Sequence, residues 1–186
     1  CQEIRPNKAP GRLVIENRGD ESAANRRYAT LTVDTQDGRY GLANEGFRGM
    51  GFRKGDEYRF SVAVKAVSDG RVRLRVEAVN ALGKNIGEAF INNVGESDWK
   101  TYHVSLTATD SAAKGRLNVW LEGTGAVQLD AISLFPAATW KNREGGLRKD
   151  LVQWLADMQP GFIRFPGGCI VEGRDLTTRY EWKKTV

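Results

Sequence analysis

The sequence predicts a mainly β protein: an antiparallel jelly-roll β-sandwich, followed by a short α/β segment. Three observations carry this reading. In residues 58–67, Tyr58, Phe60, Val62, Val64 and Ala66 alternate with Arg59, Ser61, Ala63 and Lys65; in residues 71–80, Val72, Leu74, Val76 and Ala78 alternate with Arg71, Arg73, Arg75 and Glu77. One apolar and one wet face per strand is the pattern of an antiparallel sheet buried on one side. Similar short segments recur between turn residues at 28–34, 86–91, 101–107, 116–122 and 127–135, which is the spacing of a sandwich. At Leu147 the apolar period changes from two to 3.6, with Leu147, Leu151, Trp154, Leu155 and Met158 on one helical face. That change divides the chain into a sandwich at 1–137 and an α/β part at 138–186.

Taken in order, Leu13, Val14 and Ile15 predict an edge strand, and residues 41–55 form a glycine-rich connection carrying Phe47, Met50 and Phe52. Such a connection covers one end of a sandwich or lines a groove. Ser68-Asp69-Gly70 joins the two best alternating strands as a hairpin. Within 127–135 the phase shifts: Val127 and Leu129 share one parity, Ile132 and Leu134 the other. A β-bulge near Asp130 and Ala131 returns both pairs to the core, because one extra residue reverses the facing. Residues 137–144 read as the linker, and the helix that follows, about three turns long, is stopped by Pro160-Gly161. Phe162-Ile163-Arg164-Phe165 then predicts a strand buried on both faces, ended by Pro166-Gly167-Gly168. Two glycines at a strand's carboxyl end admit a ligand close to the backbone, and Cys169, Glu172, Arg174 and Asp175 follow directly.

Composition excludes several classes. The net charge is +5, but 28 basic residues are interspersed with 23 acidic ones, which describes a solvated surface rather than a nucleic-acid footprint. The one local stripe, Arg71, Arg73 and Arg75, lies on the wet side of its strand. No run is long enough to cross a membrane, and the start lacks the pattern of a signal peptide; Cys1 as first residue points to processing or an arbitrary cut. Cys1 and Cys169 are too few for a disulfide framework, and a single His103 without cysteine or histidine at ligand spacing argues against zinc.

From Gly146 onward the chain reads GLRKDLVQWLADMQPGFIRFPGGCIVEGRDLTTRYEWKKTV, with RFPGG, VEG and RYEWKKT in that order. This closely resembles the start of the catalytic barrel in α-L-arabinofuranosidases of glycoside hydrolase family 51, and the preceding part resembles the carbohydrate-binding-module-like sandwich that many members carry. The resemblance implies that residues 138–186 open an incomplete TIM barrel. It implies a parent enzyme that releases terminal α-L-arabinofuranosyl residues from arabinan or arabinoxylan, with retention and without a cofactor. The acid/base and nucleophile glutamates of the family lie on later barrel strands, past Val186, so this stretch alone is expected to be inactive. Gly167 and Gly168 would shape the pocket floor. Cys169 would face the sugar as a hydrogen-bonding residue, or else be an inert buried thiol, and Glu172 stands with them as a substrate-binding candidate. The implied partners are an arabinose-containing polysaccharide or oligosaccharide and the rest of the barrel, with no nucleic acid and no membrane. A periplasmic or secreted location follows from the same resemblance.

Two further readings concern the sandwich. Trp120, Tyr40 and Phe47 are candidates for a sugar platform, since aromatic faces stack on the apolar faces of sugar rings. Val119 and Leu121 have core parity, so Trp120 should point outward, onto sugar, under a covering loop or against the second domain. Trp99, at a strand start, is a further platform candidate, read rather as core or edge packing. Asp130 at the bulge is a candidate ligand of a structural calcium, with Glu16 or Asp20 as distant partners; such an ion needs six to eight oxygens, and a turn-satisfying aspartate is the alternative. The sandwich is therefore either a binding module for plant polysaccharide or a scaffold that braces the barrel.

Overall fold

The computed structural model describes residues 2–4, 11–17, 19, 27–34, 39–68, 72–164 and 168–181, with the backbone alone at Cys169 and Ile170. Among them eleven strands follow one another: Gln2–Ile4 (β1), Gly11–Asn17 (β2), Arg27–Val33 (β3), Arg39–Asn44 (β4), Met50–Phe52 (β5), Glu57–Ala66 (β6), Val72–Val79 (β7), Asn85–Ile91 (β8), Lys100–Thr107 (β9), Ala112–Gly123 (β10) and Gly125–Pro136 (β11). They form two antiparallel sheets. One has the order β1-β4-β10-β7-β8, with β5 also pairing β10; the other has the order β2-β3-β11-β6-β9.

The alternation predicted for β6 and β7 is what joins the sheets. Phe60, Val62 and Val64 from one sheet and Leu74, Val76, Val119 and Leu121 from the other are at most 2% exposed and share one core with Leu31, Val127 and Leu129. Burying a side chain of this size contributes about 1.5–3 kcal/mol each. The predicted bulge is present. The pairing of β11 with β6 shifts register between Asp130 and Ser133, with Ala131 at φ 49°, and Ile132 and Leu134 return to the core side.

Three strands escaped the sequence reading. β4 and β5 lie largely within residues 41–55, expected as a glycine-rich connection that begins at Gly41. Gly41 is instead a close approach: a Cβ there would stand 2.4 Å from the Val119 carbonyl oxygen. β4 is also buried from Tyr40 to Ala43 without alternation. β1 is only three residues long and carries no apolar pattern. The Ser68-Asp69-Gly70 hairpin falls partly outside the described residues.

After β11 the chain folds into a short pinned loop. Trp140–Asn142 is a single 3-10 turn, Thr139 and Arg148 bridge, the Trp140 N–H donates to the Leu147 carbonyl at 2.9 Å and the Gly146 N–H to the Arg143 carbonyl at 3.0 Å. Thr139, 2% exposed, donates its hydroxyl to the Arg143 carbonyl. The helix then runs Lys149–Asp157 (α1), shorter than expected, and its apolar side is open: Leu151 is 45% and Trp154 67% exposed. The expected strand at 162–165 is not formed at 162–164, and Phe165 lies outside the described residues. A parallel strand needs neighbours to complete its hydrogen bonds, and Phe162 and Ile163, exposed here, have no pairing strand among the described residues. A one-turn helix, Cys169–Glu172 (α2), follows Gly168 at φ 100°.

Ala131 holds a backbone conformation that costs an L-residue about 1–2 kcal/mol. Ala131→Gly is therefore expected to hold or raise stability by up to about 1 kcal/mol, and Ala131→Val to lower it by about 1–3 kcal/mol. Urea midpoints of the two variants measure both; equal midpoints would contradict the bulge's strain.

Candidate functional site

The register places Trp120 opposite Arg75, and Arg75 opposite Phe90; the next row is Asn118, Glu77 and Glu88, and Glu122 faces Arg73. All stand on the outer side of the first sheet, away from the core. Glu77, 7% exposed, organises them. Its Oε2 accepts from the Trp120 indole N–H at 2.6 Å and from Asn118 Nδ2 at 3.3 Å, and its Oε1 pairs with Arg75 at 2.7 Å. Arg75 also meets Glu88 at 2.7 Å and Glu122 at 3.7 Å, and Arg73 meets Glu122 at 2.7 Å. Desolvation, the largest single effect on Arg75, lowers its pKa, yet Glu77, Glu88 and Glu122 together hold it above the ordinary arginine value.

This arrangement decides the fate of the expected platform. Trp120 leaves the core as its parity requires, but it is only 8% exposed. Its N–H is committed to Glu77, and the Arg39 guanidinium lies 5.1 Å from its ring centre. Tyr40 is fully buried on the core side, opposite Leu121, and its hydroxyl donates to Glu3. Parity could not reveal this, because β4 was not recognised as a sheet strand. Phe47 alone is open, 88% exposed in the turn after β4, with Arg48 5.4 Å from its ring. The three aromatics do not share a surface. Trp99 packs edge-on against Tyr28 at 5.7 Å, as edge packing requires.

Asp130 uses Oδ1 to accept the Ala131 N–H at 2.7 Å at the bulge. Glu16 accepts from the Thr30 hydroxyl, and Asp20 lies outside the described residues. Among the described residues, no three His, Cys, Asp or Glu side chains gather as a metal site would need.

Of the residues after the expected strand, Gly167 lies outside the described residues, as does the Cys169 side chain. Gly168 caps α2 with its positive φ. Glu172 is exposed and stands 3.8 Å from Arg164. Asp175 builds the next turn: one oxygen accepts from the Thr177 hydroxyl at 2.6 Å and from the Thr177 and Thr178 N–H groups at 2.9 and 3.0 Å.

Sequence parity describes the outer side of the second sheet only as wet. Ser133, Ser61 and His103 form one cross-strand row there, and Phe135, Arg59 and Ser105 the next. Ser61 and Ser133 share a hydrogen bond of 2.7 Å. With residues 143–145 of the pinned loop, these six line a groove of about 510 Å3. Part of the signal was in the sequence, in the polar parity of Arg59, Ser61, His103 and Ser105 and in the predicted bulge, but residue order does not show that β6, β9 and β11 lie side by side.

Two predictions follow from these contacts. Glu77→Ala leaves the Trp120 N–H and the Asn118 amide without their acceptor, and should cost about 2–4 kcal/mol in urea unfolding; Phe47→Ala should cost less than about 0.5 kcal/mol. The Asp175 carboxyl is held below the ordinary aspartate range, first by the Thr177 hydroxyl and then by the Thr178 and Thr177 N–H groups, against a smaller effect of desolvation. A depressed folded value means that this stabilisation is full above the unfolded pKa of about 3.9 and is lost as pH falls through the lower folded value. The Thr177 and Thr178 amide resonances should therefore titrate with a midpoint below the ordinary aspartate value. A midpoint at or above it contradicts the contact.

Comparison with known proteins agrees with this architecture. The family profile described as Carbohydrate binding domain matches residues 15–127, and that described as Alpha-L-arabinofuranosidase 1 domain matches residues 154–186. The chain is 31% identical over 185 residues to an extracellular exo-α-L-arabinofuranosidase of Streptomyces chartreusis, covering 93% of this chain and 21% of that protein. It is 33% identical over 150 residues to α-L-arabinofuranosidase 1 of Arabidopsis thaliana, covering 80% of this chain and 22% of that protein. The solved structure of the arabinose-bound MgGH51 α-L-arabinofuranosidase superposes with a TM-score of 0.79 at 26% identity, over 99% of this chain and 31% of that one. The chain thus spans only about a fifth of the length of these two curated relatives. Through residues 15–127, more than half of its length, the chain belongs to the carbohydrate binding domain family, here joined to a segment similar to α-L-arabinofuranosidases.

Proposed function

We propose that this chain is the sandwich and the opening of the catalytic barrel of a retaining α-L-arabinofuranosidase, which removes terminal α-L-arabinofuranosyl residues from arabinan or arabinoxylan without a cofactor. The observation that carries this is continuity: the match to an arabinofuranosidase structure covers 99% of the chain at a TM-score of 0.79, so it includes the sandwich, the loop, α1 and the turn beyond it together.

A retaining mechanism needs two carboxyls about 5–5.5 Å apart flanking the bond. In this reading neither comes from the described residues. Glu77, Glu88 and Glu122 are tied to arginines on the outer side of a sheet, and Glu172 is exposed beside Arg164. Gly167, Gly168, Cys169 and Glu172 contribute to the sugar pocket only once further barrel strands surround them. The open apolar side of α1 supports this, since a barrel helix buries that side against its strands and neighbouring helices. The relative described as extracellular supports action outside the cell, in a secreted or periplasmic setting.

The test is hydrolysis of an aryl α-L-arabinofuranoside. Residues 1–186 should show no turnover above background. A longer polypeptide that contains them and completes the barrel should release arabinose with its anomeric configuration retained. Turnover by residues 1–186 that survives repurification would overturn the assignment of the carboxylates.

A further inference from the structure

The two outer faces of the sandwich differ in one respect. On the first sheet the charged groups satisfy one another, from Arg73 through Glu122, Arg75 and Glu88 to Glu77. Where β6 and β9 pair on the second sheet, the contrast is with groups that have no such partner. Arg59, His103 and Ser105 make no side-chain hydrogen bond or ion pair among the described residues, and neither do Arg143 and Glu144 in the loop. Yet these groups converge on one groove of about 510 Å3, within the size range of small-molecule sites.

The groove is built rather than incidental. Its floor is two cross-strand rows, so each side chain is fixed by the register of β6, β9 and β11. Phe135, 43% exposed, reaches this floor only because the bulge at Ala131 reversed the parity of β11. Its wall is the loop that Thr139 holds from within. Gly146 is required there, since a Cβ would stand 2.8 Å from the Arg143 carbonyl oxygen. The contents are an aromatic face, three hydroxyls, an imidazole, two guanidinium groups and one carboxylate. That inventory suits a ligand with an apolar ring face and many hydroxyls that both donate and accept.

We propose that this groove binds a short oligosaccharide, with one sugar ring against Phe135 and its hydroxyls held by Arg59, Ser105, His103 and Glu144. The inference rests on the reading that the sandwich belongs to a carbohydrate-active protein. It adds a site made jointly by the sandwich and the loop that leaves it.

His103 is the one histidine of the chain, so its imidazole resonances report on the groove without ambiguity. The experiment is titration of the full 186-residue chain with arabino-oligosaccharides and with xylo-oligosaccharides, followed by calorimetry and by His103 signals, in the parent chain and in Phe135→Ala, Arg59→Ala and Phe47→Ala. All three side chains are exposed, and equal melting temperatures check that the variants fold. Saturable binding that moves the His103 signals, falls about tenfold or more in Phe135→Ala, weakens in Arg59→Ala and is unchanged in Phe47→Ala is the expected result. Saturable binding with His103 unmoved and Phe135→Ala and Arg59→Ala unaffected overturns the groove but leaves the arabinofuranosidase reading intact. Absence of binding to every oligosaccharide also overturns the groove. The arabinofuranosidase reading fails separately, if the longer polypeptide does not cleave the aryl substrate.

Discussion

The parity of β11 is the constraint on which this sandwich turns. β11 sits between β3 and β6 in the middle of its sheet, so both of its halves must serve one core. A strand of period two cannot place Val127 and Leu129 and also Ile132 and Leu134 on the same side without an extra residue. Ala131 supplies it, at the expense of a left-handed backbone. The rest of the strand inherits the shift: Ser133 and Phe135 face outward.

The two sheets share a core but treat their outer faces in opposite ways. The first is closed on itself around Glu77, a buried carboxylate whose acceptor sites are taken by Trp120, Asn118 and Arg75. Removing one partner from such a cluster is costly because the others stay desolvated, so the cluster acts as a fixed panel. The second face keeps Arg59, His103 and Ser105 without side-chain partners among the described residues, beside an exposed aromatic ring. A tryptophan on a sheet surface invites a reading as a recognition residue, and here the recognition chemistry lies on the opposite side of the molecule.

Much of the fold was readable from residue order. Alternation in β6 and β7, the bulge at Asp130 and Ala131, and the change of period at Leu147 all reflect local facing, which a linear pattern encodes directly. What it does not encode is close approach. Gly41 looks like a break and is a packing contact with Val119, so β4 was missed and Tyr40 was assigned to a surface it does not occupy. Likewise Trp120 was oriented correctly by its neighbours, but its burial depends on Glu77 and Arg39, which come from other strands. Phe162 and Ile163 carry the composition of a buried strand, while strand geometry requires partners that the described residues do not provide.

The loop between β11 and α1 behaves as an elbow instead of a tether. A flexible Gly-rich link of about twelve residues would let its ends wander over roughly 17–21 Å, and would spread whatever it carried through a correspondingly large volume. Here the ends are bridged at Thr139 and Arg148, and the middle is closed by Gly146 on Arg143. A ligand held at one side of this elbow is therefore presented to the polypeptide on the other at a nearly fixed distance and angle. The local concentration of one chain segment near the other is then set by geometry instead of diffusion.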